Sequence, residues 1–361
     1  MIPARAQEAA ERSSASEAGR GPASLTGKEH AAFIQDADRL GVAVTSDKPL
    51  ARHCTFRIGG PAELYAAADD IHTLERLVNL ATDQDIPVTV LGGGSNVLIS
   101  DFGVRGLVIA NQARELRLGM PDLSGEVMEA PEQRVPDGWQ PDESGPHLVA
   151  DSGVALAGLA RWAIREGWSG LEWAVSVPGT VGGAVVGNAG AHGGQIADNL
   201  RWALVAYPGS GRRLMRAEQM GFGYRNSALK QLLVAGQPAA VVLRAGFHLV
   251  PGNAAEMTAR ADSFLAKRRA SQPVEPSAGS VFRNPPGDYA GRLVELVGLK
   301  GHRIGGVQVS PRHANFIINT GEGRAVEVHA LIRLIQQRVL ENTGIEMVPE
   351  ILYLGDWTGC R

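Results

Sequence analysis

Two glycine-rich stretches constrain this chain more than any other feature. "VLGGGSNVLI" (90–99) follows the short apolar run "PVTVL" (87–91). "SVPGTVGGAVVGNAGAHGG" (176–194) follows the helical pattern "ALAGLARWAIREG" (155–167). In the first, Gly92, Gly93, Gly94, Ser95 and Asn96 let successive backbone N–H groups converge on an anion, because no bulky Cβ substituent blocks the approach. In the second, Pro178 and Gly179 set a turn, and Gly182 and Gly183 admit a ring or a phosphate close to the backbone. Two such loops suit a long, bent ligand carrying a pyrophosphate. The plain alternatives are a tight strand-to-helix turn for the first and helix packing through small residues for the second. Neither loop is a G-x-G-x-x-G, and no acidic residue stands where a Rossmann unit needs one, so dinucleotide binding of that type is not expected.

The surrounding pattern alternates strands and helices. Strands are expected at 62–69, 87–91, 106–111, 147–153, 200–208, 239–250, 315–319 and 347–355. Helices are expected at 71–84, 155–167, 252–271, 289–299 and 325–344. In the last of these Val328, Leu331, Ile332, Ile335 and Val339 share a face and Gly344 marks the stop. This order predicts a mixed α/β or α+β protein, with the glycine loops in one domain and a second domain near 250–355. Residues 1–30 read as a disordered tail, with ordered structure starting near Phe33, and the Pro-, Gly- and acid-rich residues 112–146 as a surface insertion with room for a small hairpin. "GPASLTGKE" is a near miss for a P-loop, with the wrong spacing and no Ser/Thr after Lys28.

Composition narrows the partners. A net charge of -3 gives no reason to expect nucleic acid or anionic lipid. No apolar run reaches the ~20 residues of a membrane helix. The two cysteines, Cys54 and Cys360, have no metal or redox spacing, which points to a reducing compartment, no disulfide scaffold and no metal.

Three residues stand out chemically. Arg225, in "FGYRNS", could grip a carboxylate by two parallel hydrogen bonds, or form an ordinary surface ion pair. Glu350, in "MVPEILYLG", reads as part of an apolar strand whose Leu352 and Leu354 share its face. There its pKa would be raised, unless the strand is an edge with Glu350 in water. Ser280, in "PSAGSVFRNP", lacks the glycine placement of the hydrolase G-x-S-x-G elbow. Nothing pairs His302 or His313 with it, so a turn or capping serine displaces the nucleophile reading.

As a set, "TFRIGGPA", "VLGGGSNVLISD", "VPGTVGGAVVGNAGAHG", "FGYRNS", "PSAGSVFRNP", "GLKGHRIGGVQVSPRHANFIIN" and "GIEMVPEILYLG" resemble the UDP-N-acetylenolpyruvoylglucosamine reductase family, in the family's order over most of residues 50–355. The resemblance implies an α+β protein with an FAD-binding domain of the PCMH (vanillyl-alcohol-oxidase-like) type at 31–250 and a smaller α+β substrate-binding domain at 251–361. It implies noncovalent FAD held by Val90, Gly92, Gly93, Gly94, Ser95, Asn96, Val177, Pro178, Gly179, Gly182, Gly183, Val186 and Gly190, with NADPH as reductant. Its catalytic arginine, serine proton donor and glutamate fall on Arg225, Ser280 and Glu350. Tyr224, Arg283, Asn284 and His313 are implied substrate contacts. The implied reaction is reduction of a sugar-nucleotide enolpyruvyl ether for peptidoglycan precursor synthesis, in the cytoplasm. Hydride goes from flavin N5 to C3 and a proton from Ser280 to C2.

The short Arg225–Ser280 spacing resembles the form of the family without an extra tyrosine-bearing loop. Departures are the 1–30 tail, the 112–146 insertion, Met347 for leucine, and His192 where a tyrosine often stands. Two other readings stay open here: an FAD-linked oxidoreductase of the same fold with a different small substrate, and a non-catalytic flavin or sugar-nucleotide binder. The oligomeric state is open, a monomer included.

Overall fold

Three sheets of four or five strands, three two-stranded pairs and the helices between them make up the described residues. The structure, a computed structural model, describes residues 24–119, 147–234 and 240–358. The first sheet has the order Val44–Pro49, Pro61–Ala68, Val104–Asn111, Val88–Leu91. Its last three strands are parallel and Val44–Pro49 is an antiparallel edge. The second sheet, Gly211–Arg216, Leu200–Tyr207, Val241–His248, His147–Asp151, Leu116–Gly119, is antiparallel throughout. The third, Ser277–Ser280, Phe316–Asn319, Val307–Val309, Arg303–Ile304, is also antiparallel.

Side-chain alternation along the strands decides which core each residue enters. In Val104–Asn111, Leu107 and Ile109 pack beneath helices Gly27–Arg39 and Ile71–Asp83, while Val108 and Ala110 face the C-terminal elements. In Leu200–Tyr207, Trp202, Leu204 and Ala206 join that same helix layer, and Ala203 and Val205 face the opposite way toward Leu156–Arg165. The two helices thus fill the space between the first and second sheets. Helix Ala325–Thr343 buries all five residues of its expected face and ends at Gly344, whose φ of 70° is the left-handed stop. That face shares one core with Leu91, Leu98, Ile99 and Val108 of the first half. Helix Ala254–Ser271, by contrast, inserts Met257 and Ala261 into the second-sheet core.

Most expected elements are found within a residue or two of their predicted ends, and several differ. Helix Gly27–Arg39 begins inside the stretch read as a tail; Thr26 and Glu29 form a reciprocal capping box, so the near miss for a P-loop is a helix start. Residues 1–23 lie outside the described residues. The segment read as an insertion contributes Leu116–Gly119 to the second sheet, paired with His147–Asp151, and residues 120–146 lie outside the described residues. The final strand is only Leu352–Leu354, parallel to Val97–Ile99, so Glu350 precedes the strand rather than lying within it.

Candidate functional site

The two glycine loops interlock. A Cβ on Gly92 would lie 2.3 Å from Thr180 Oγ1, and one on Gly93 would lie 3.0 Å from Gly179 Cα. Gly179, at φ 105°, would put a Cβ 2.7 Å from Ser95 Oγ. Gly94, at φ 57°, passes so close to His53 O and Cys54 that only glycine fits. Contact between the loops therefore explains part of the glycine requirement. It leaves the donors unexplained: none of the backbone N–H groups of Gly92 to Asn96 donates to an acceptor among the described residues. Consecutive unspent N–H groups around a left-handed glycine form an anion-binding concavity, which a pyrophosphate would satisfy.

On the second loop the glycines divide. Gly182 donates to Ser152 O at 2.8 Å and packs on that residue. Gly190 is held by a hairpin against Gly194 O, where a Cβ would come within 2.8 Å. Gly183 has no neighbour nearer than Thr180 Oγ1 at 4.0 Å, so its face is open. Val177 and Val186 pack on the second-sheet core and Val90 on the helix layer, so these side chains build the loop stems. The residues present fit a flavin dinucleotide.

Arg225 sits at the tip of a tight turn. Gly223 and Asn226 exchange backbone hydrogen bonds of 3.1 Å, leaving Tyr224 and Arg225 at the end. Arg225 adopts φ 53°, a conformation that costs a non-glycine residue ~1 kcal/mol or more. The second glycine loop braces this turn. Asn188 Nδ2 donates to Gly223 O at 2.9 Å, and Ser227 Oγ donates to Val186 O at 2.6 Å. Lys230 Nζ donates to the Arg225 carbonyl at 3.0 Å.

Arg225 Nε lies 2.8 Å from Glu350 Oε1, yet its N–H is not directed at the carboxylate and makes no hydrogen bond. Arg283 Nε is likewise buried without a hydrogen-bond partner. The Glu350 side chain is only 12 % exposed, which removes the reading of an edge-strand glutamate in water. Burial pushes its carboxyl above the usual range, while Arg225, Lys230 and Arg283 pull it back.

Backbone contacts bring Ser280 to the same place. Ser280 ends Ser277–Ser280, against Phe316. The next residue, Val281, accepts from Glu350 N at 2.7 Å. Asn96, at the end of the first glycine loop, donates through Nδ2 to Glu350 O at 3.2 Å and accepts from Leu352 N at 3.0 Å. Thr55 closes the circuit, its N donating to Gly94 O at 3.0 Å and its Oγ1 to Ser277 O at 2.7 Å. The three residues singled out from sequence and the first glycine loop form one connected cluster.

The other expected contacts are placed unevenly. Tyr224 is 58 % exposed beside Arg225. Arg283 belongs to the cluster. Asn284 uses its Oδ1 to accept from Ala290 N at 3.0 Å, at the start of helix Ala290–Leu296. The recorded contacts of His313 are local: its Nδ1 accepts from Asn315 N at 3.3 Å and its ring meets Phe316 edge-on. His192 stacks on Phe264 at 4.4 Å. Sequence reading missed Lys230. The available signal was a lysine in the apolar run "SALKQLLV", five positions after Arg225.

Among the described residues no helix is long and apolar enough to cross a membrane. A family model described as "FAD binding domain" matches residues 140–214, and one described as "UDP-N-acetylenolpyruvoylglucosamine reductase, C-terminal domain" matches residues 272–354. A UDP-N-acetylenolpyruvoylglucosamine reductase of Synechococcus sp. (strain RCC307) is 44% identical over 312 residues, spanning 86% of this chain and 93% of the relative. One of Heliobacterium modesticaldum is 42% identical over 314 residues, spanning 86% and 91%. The crystal structure of the Thermus caldophilus UDP-N-acetylenolpyruvylglucosamine reductase superposes with a TM-score of 0.65 at 32% identity, over 87% of this chain and 98% of that one. With its fold, its paired glycine loops and these relatives in agreement, the chain belongs to the UDP-N-acetylenolpyruvoylglucosamine reductase family.

Proposed function

We propose that this protein reduces UDP-N-acetylenolpyruvoylglucosamine to UDP-N-acetylmuramate in peptidoglycan precursor synthesis, with FAD as cofactor, NADPH as reductant and a cytoplasmic location. The observation that carries the reading is the Arg225–Glu350 pair. A guanidinium whose side chain is 26 % exposed lies 2.8 Å from a buried carboxyl, with Lys230 and Arg283 adding positive charge to the same spot. Such a pair is built to take a further anion.

Bound FAD would supply hydride, drawn from NADPH and passed from N5 to C3 of the enolpyruvyl group. Gly92 to Asn96 would hold its pyrophosphate through their N–H groups, and Gly183 would leave room at the second loop. Arg225 would meet the substrate carboxylate and the negative charge that grows at C2, since a planar guanidinium matches a planar carboxylate or enolate. Glu350, whose burial favours the protonated form, would donate a hydrogen bond to the enol oxygen. Ser280 would give the proton to C2; a carbanionic carbon is basic enough to take it from a neutral hydroxyl. Tyr224, Arg283, Asn284 and His313 are proposed substrate contacts. The domain division at about residue 250 and the role of 112–146 belong to the same proposal.

An anaerobic half-reaction experiment tests this. NADPH should bleach the bound flavin, and UDP-N-acetylenolpyruvoylglucosamine should restore its colour without oxygen. A flavin that NADPH reduces and that sugar nucleotide fails to reoxidise would refute the assignment.

A further inference from the structure

We propose that Lys230 is a positioning residue for this reaction: it clamps the Arg225 carbonyl and completes an excess of positive charge around Glu350 that awaits the anionic substrate. The inference rests on the reductase reading above.

Lysine is rarely buried without a partner, and an ammonium taken out of water costs several kcal/mol. Lys230 is nevertheless only 3% exposed. It stands on the short helix Ala228–Val234, whose start is capped by Ser227 Oγ accepting from Lys230 N at 3.1 Å. From there its Nζ reaches back to Arg225 O at 3.0 Å. The other ties on the turn hold its flanks. Asn188 grips Gly223, and Ser227 anchors to Val186. Lys230 grips the residue whose φ of 53° is itself unfavourable, so losing this contact would let the backbone relax and swing the guanidinium from Glu350.

A neutral donor could serve as a clamp alone. The charge has its own logic. Three elements bring charged groups to this spot: Arg225 from the turn, Arg283 from the segment after Ser277–Ser280, and Glu350 from the segment before Leu352–Leu354. With Lys230 added, three cations face Glu350, which offsets at most one of them. Such an imbalance is unfavourable while the site lacks an anion and favourable once a substrate carboxylate enters. Burial, Arg283 and Arg225 push the Lys230 ammonium down to about 8, against the pull of Glu350. As pH rises, Lys230 therefore gives up its charge earlier than an ordinary lysine does.

The test uses intact holoenzyme, reduced by NADPH and mixed anaerobically with sub-saturating UDP-N-acetylenolpyruvoylglucosamine from about pH 6 to about pH 10. The second-order rate constant reports ionisations of the free reduced enzyme. In the unmodified protein it should fall about tenfold between about pH 8 and about pH 9.5, with the midpoint near that of Lys230. Lys230→Met should lose about tenfold to a hundredfold at neutral pH, lose more in flavin reoxidation than in flavin reduction, and show no alkaline limb. Lys230→Arg should recover much of the rate and also flatten the limb.

Equal slowing of both half-reactions by Lys230→Met, or a normal reoxidation rate per bound flavin, would overturn the proposal, whatever the variant's melting temperature. If neither variant holds flavin, the profile of the unmodified protein decides, and a flat profile to about pH 10 overturns the proposal. Failure of the unmodified enzyme to be reoxidised by substrate at any pH would instead overturn the reductase reading.

Discussion

Replacing Gly92 by alanine asks whether the seam between the two glycine loops controls flavin binding. The new Cβ would lie 2.3 Å from Thr180 Oγ1, 3.3 Å from Thr180 Cγ2 and 3.4 Å from Thr180 Cβ. The first contact is about 1 Å inside a comfortable separation. Thr180 has one torsion and two heavy branches, both turned toward Gly92, so rotation exchanges one crowded branch for the other more readily than it clears the space. The loops must part, and overpacking of this kind costs about 1–3 kcal/mol. If the strain falls on the flavin-bound state, affinity drops about fivefold to about a hundredfold. Flavin fluorescence titration of the apoprotein measures it.

All the offending atoms belong to one side chain, so Thr180→Ala should relieve the strain. It deletes the two nearest atoms and leaves Thr180 Cβ at 3.4 Å as the nearest, an ordinary contact. The double variant should bind flavin within about twofold of Thr180→Ala alone, a coupling energy comparable to the whole Gly92→Ala penalty. Unchanged affinity in Gly92→Ala, or no recovery in the double variant, would refute the reasoning that this seam sets the flavin cradle.

Other outcomes follow from the same geometry. Ser280→Ala should leave flavin reduction by NADPH nearly normal and slow reoxidation by the sugar nucleotide about 10²–10⁴-fold in stopped flow; equal loss in both halves would remove the proton-donor role. Gly246→Ala should lower the melting temperature by a cost of about 1–3 kcal/mol, because its Cβ would lie 2.2 Å from Trp202 Cε2 in the helix layer. Calorimetry would show it, while turnover per folded molecule stays unchanged. Glu350 keeps a proton in the native state at pH values where the unfolded chain has released it. Stability should therefore fall as pH rises from the ordinary carboxylate range up through the raised native pKa. Glu350→Gln should flatten that part of the melting-temperature profile, and an unchanged slope would contradict the raised carboxyl.

What sequence could and could not reveal follows from the range of the forces involved. Helix Ala325–Thr343 was legible because its apolar period and its terminal glycine are local. The glycine loops were legible for the same reason, although reading Gly182 and Gly190 as cofactor positions gave no hint of their packing on Ser152 and Gly194. Arg225, Ser280 and Glu350 emerged together only through a family pattern, since no local rule connects a turn, a strand end and a near-terminal segment. The run 347–355 reads as one strand by hydrophobicity, yet partners exist only for Leu352–Leu354, while Pro349 bridges to Phe282 and turns Glu350 inward. The apolar run "SALKQLLV" marks Lys230 as unusual, but its role lies in one hydrogen bond to a backbone oxygen, which composition and periodicity do not encode.

The pairing of Leu352–Leu354 with Val97–Ile99 has a consequence for how the protein is made. Asn96 ends the first glycine loop, and the residue it grips, Glu350, comes 254 positions later. At a synthesis rate of about 5–20 residues per second, the emerging loop waits about 10–50 s for that partner. During the wait Leu91, Leu98, Ile99 and Val108 lack the C-terminal side chains that complete their core. A nascent or truncated chain ending before residue 350 therefore carries both an open apolar face and a first glycine loop without its closing strand. One late segment thus does two things at once: Leu352–Leu354 pairs with Val97–Ile99 over this apolar face, and Glu350, just before it, is brought to the first glycine loop.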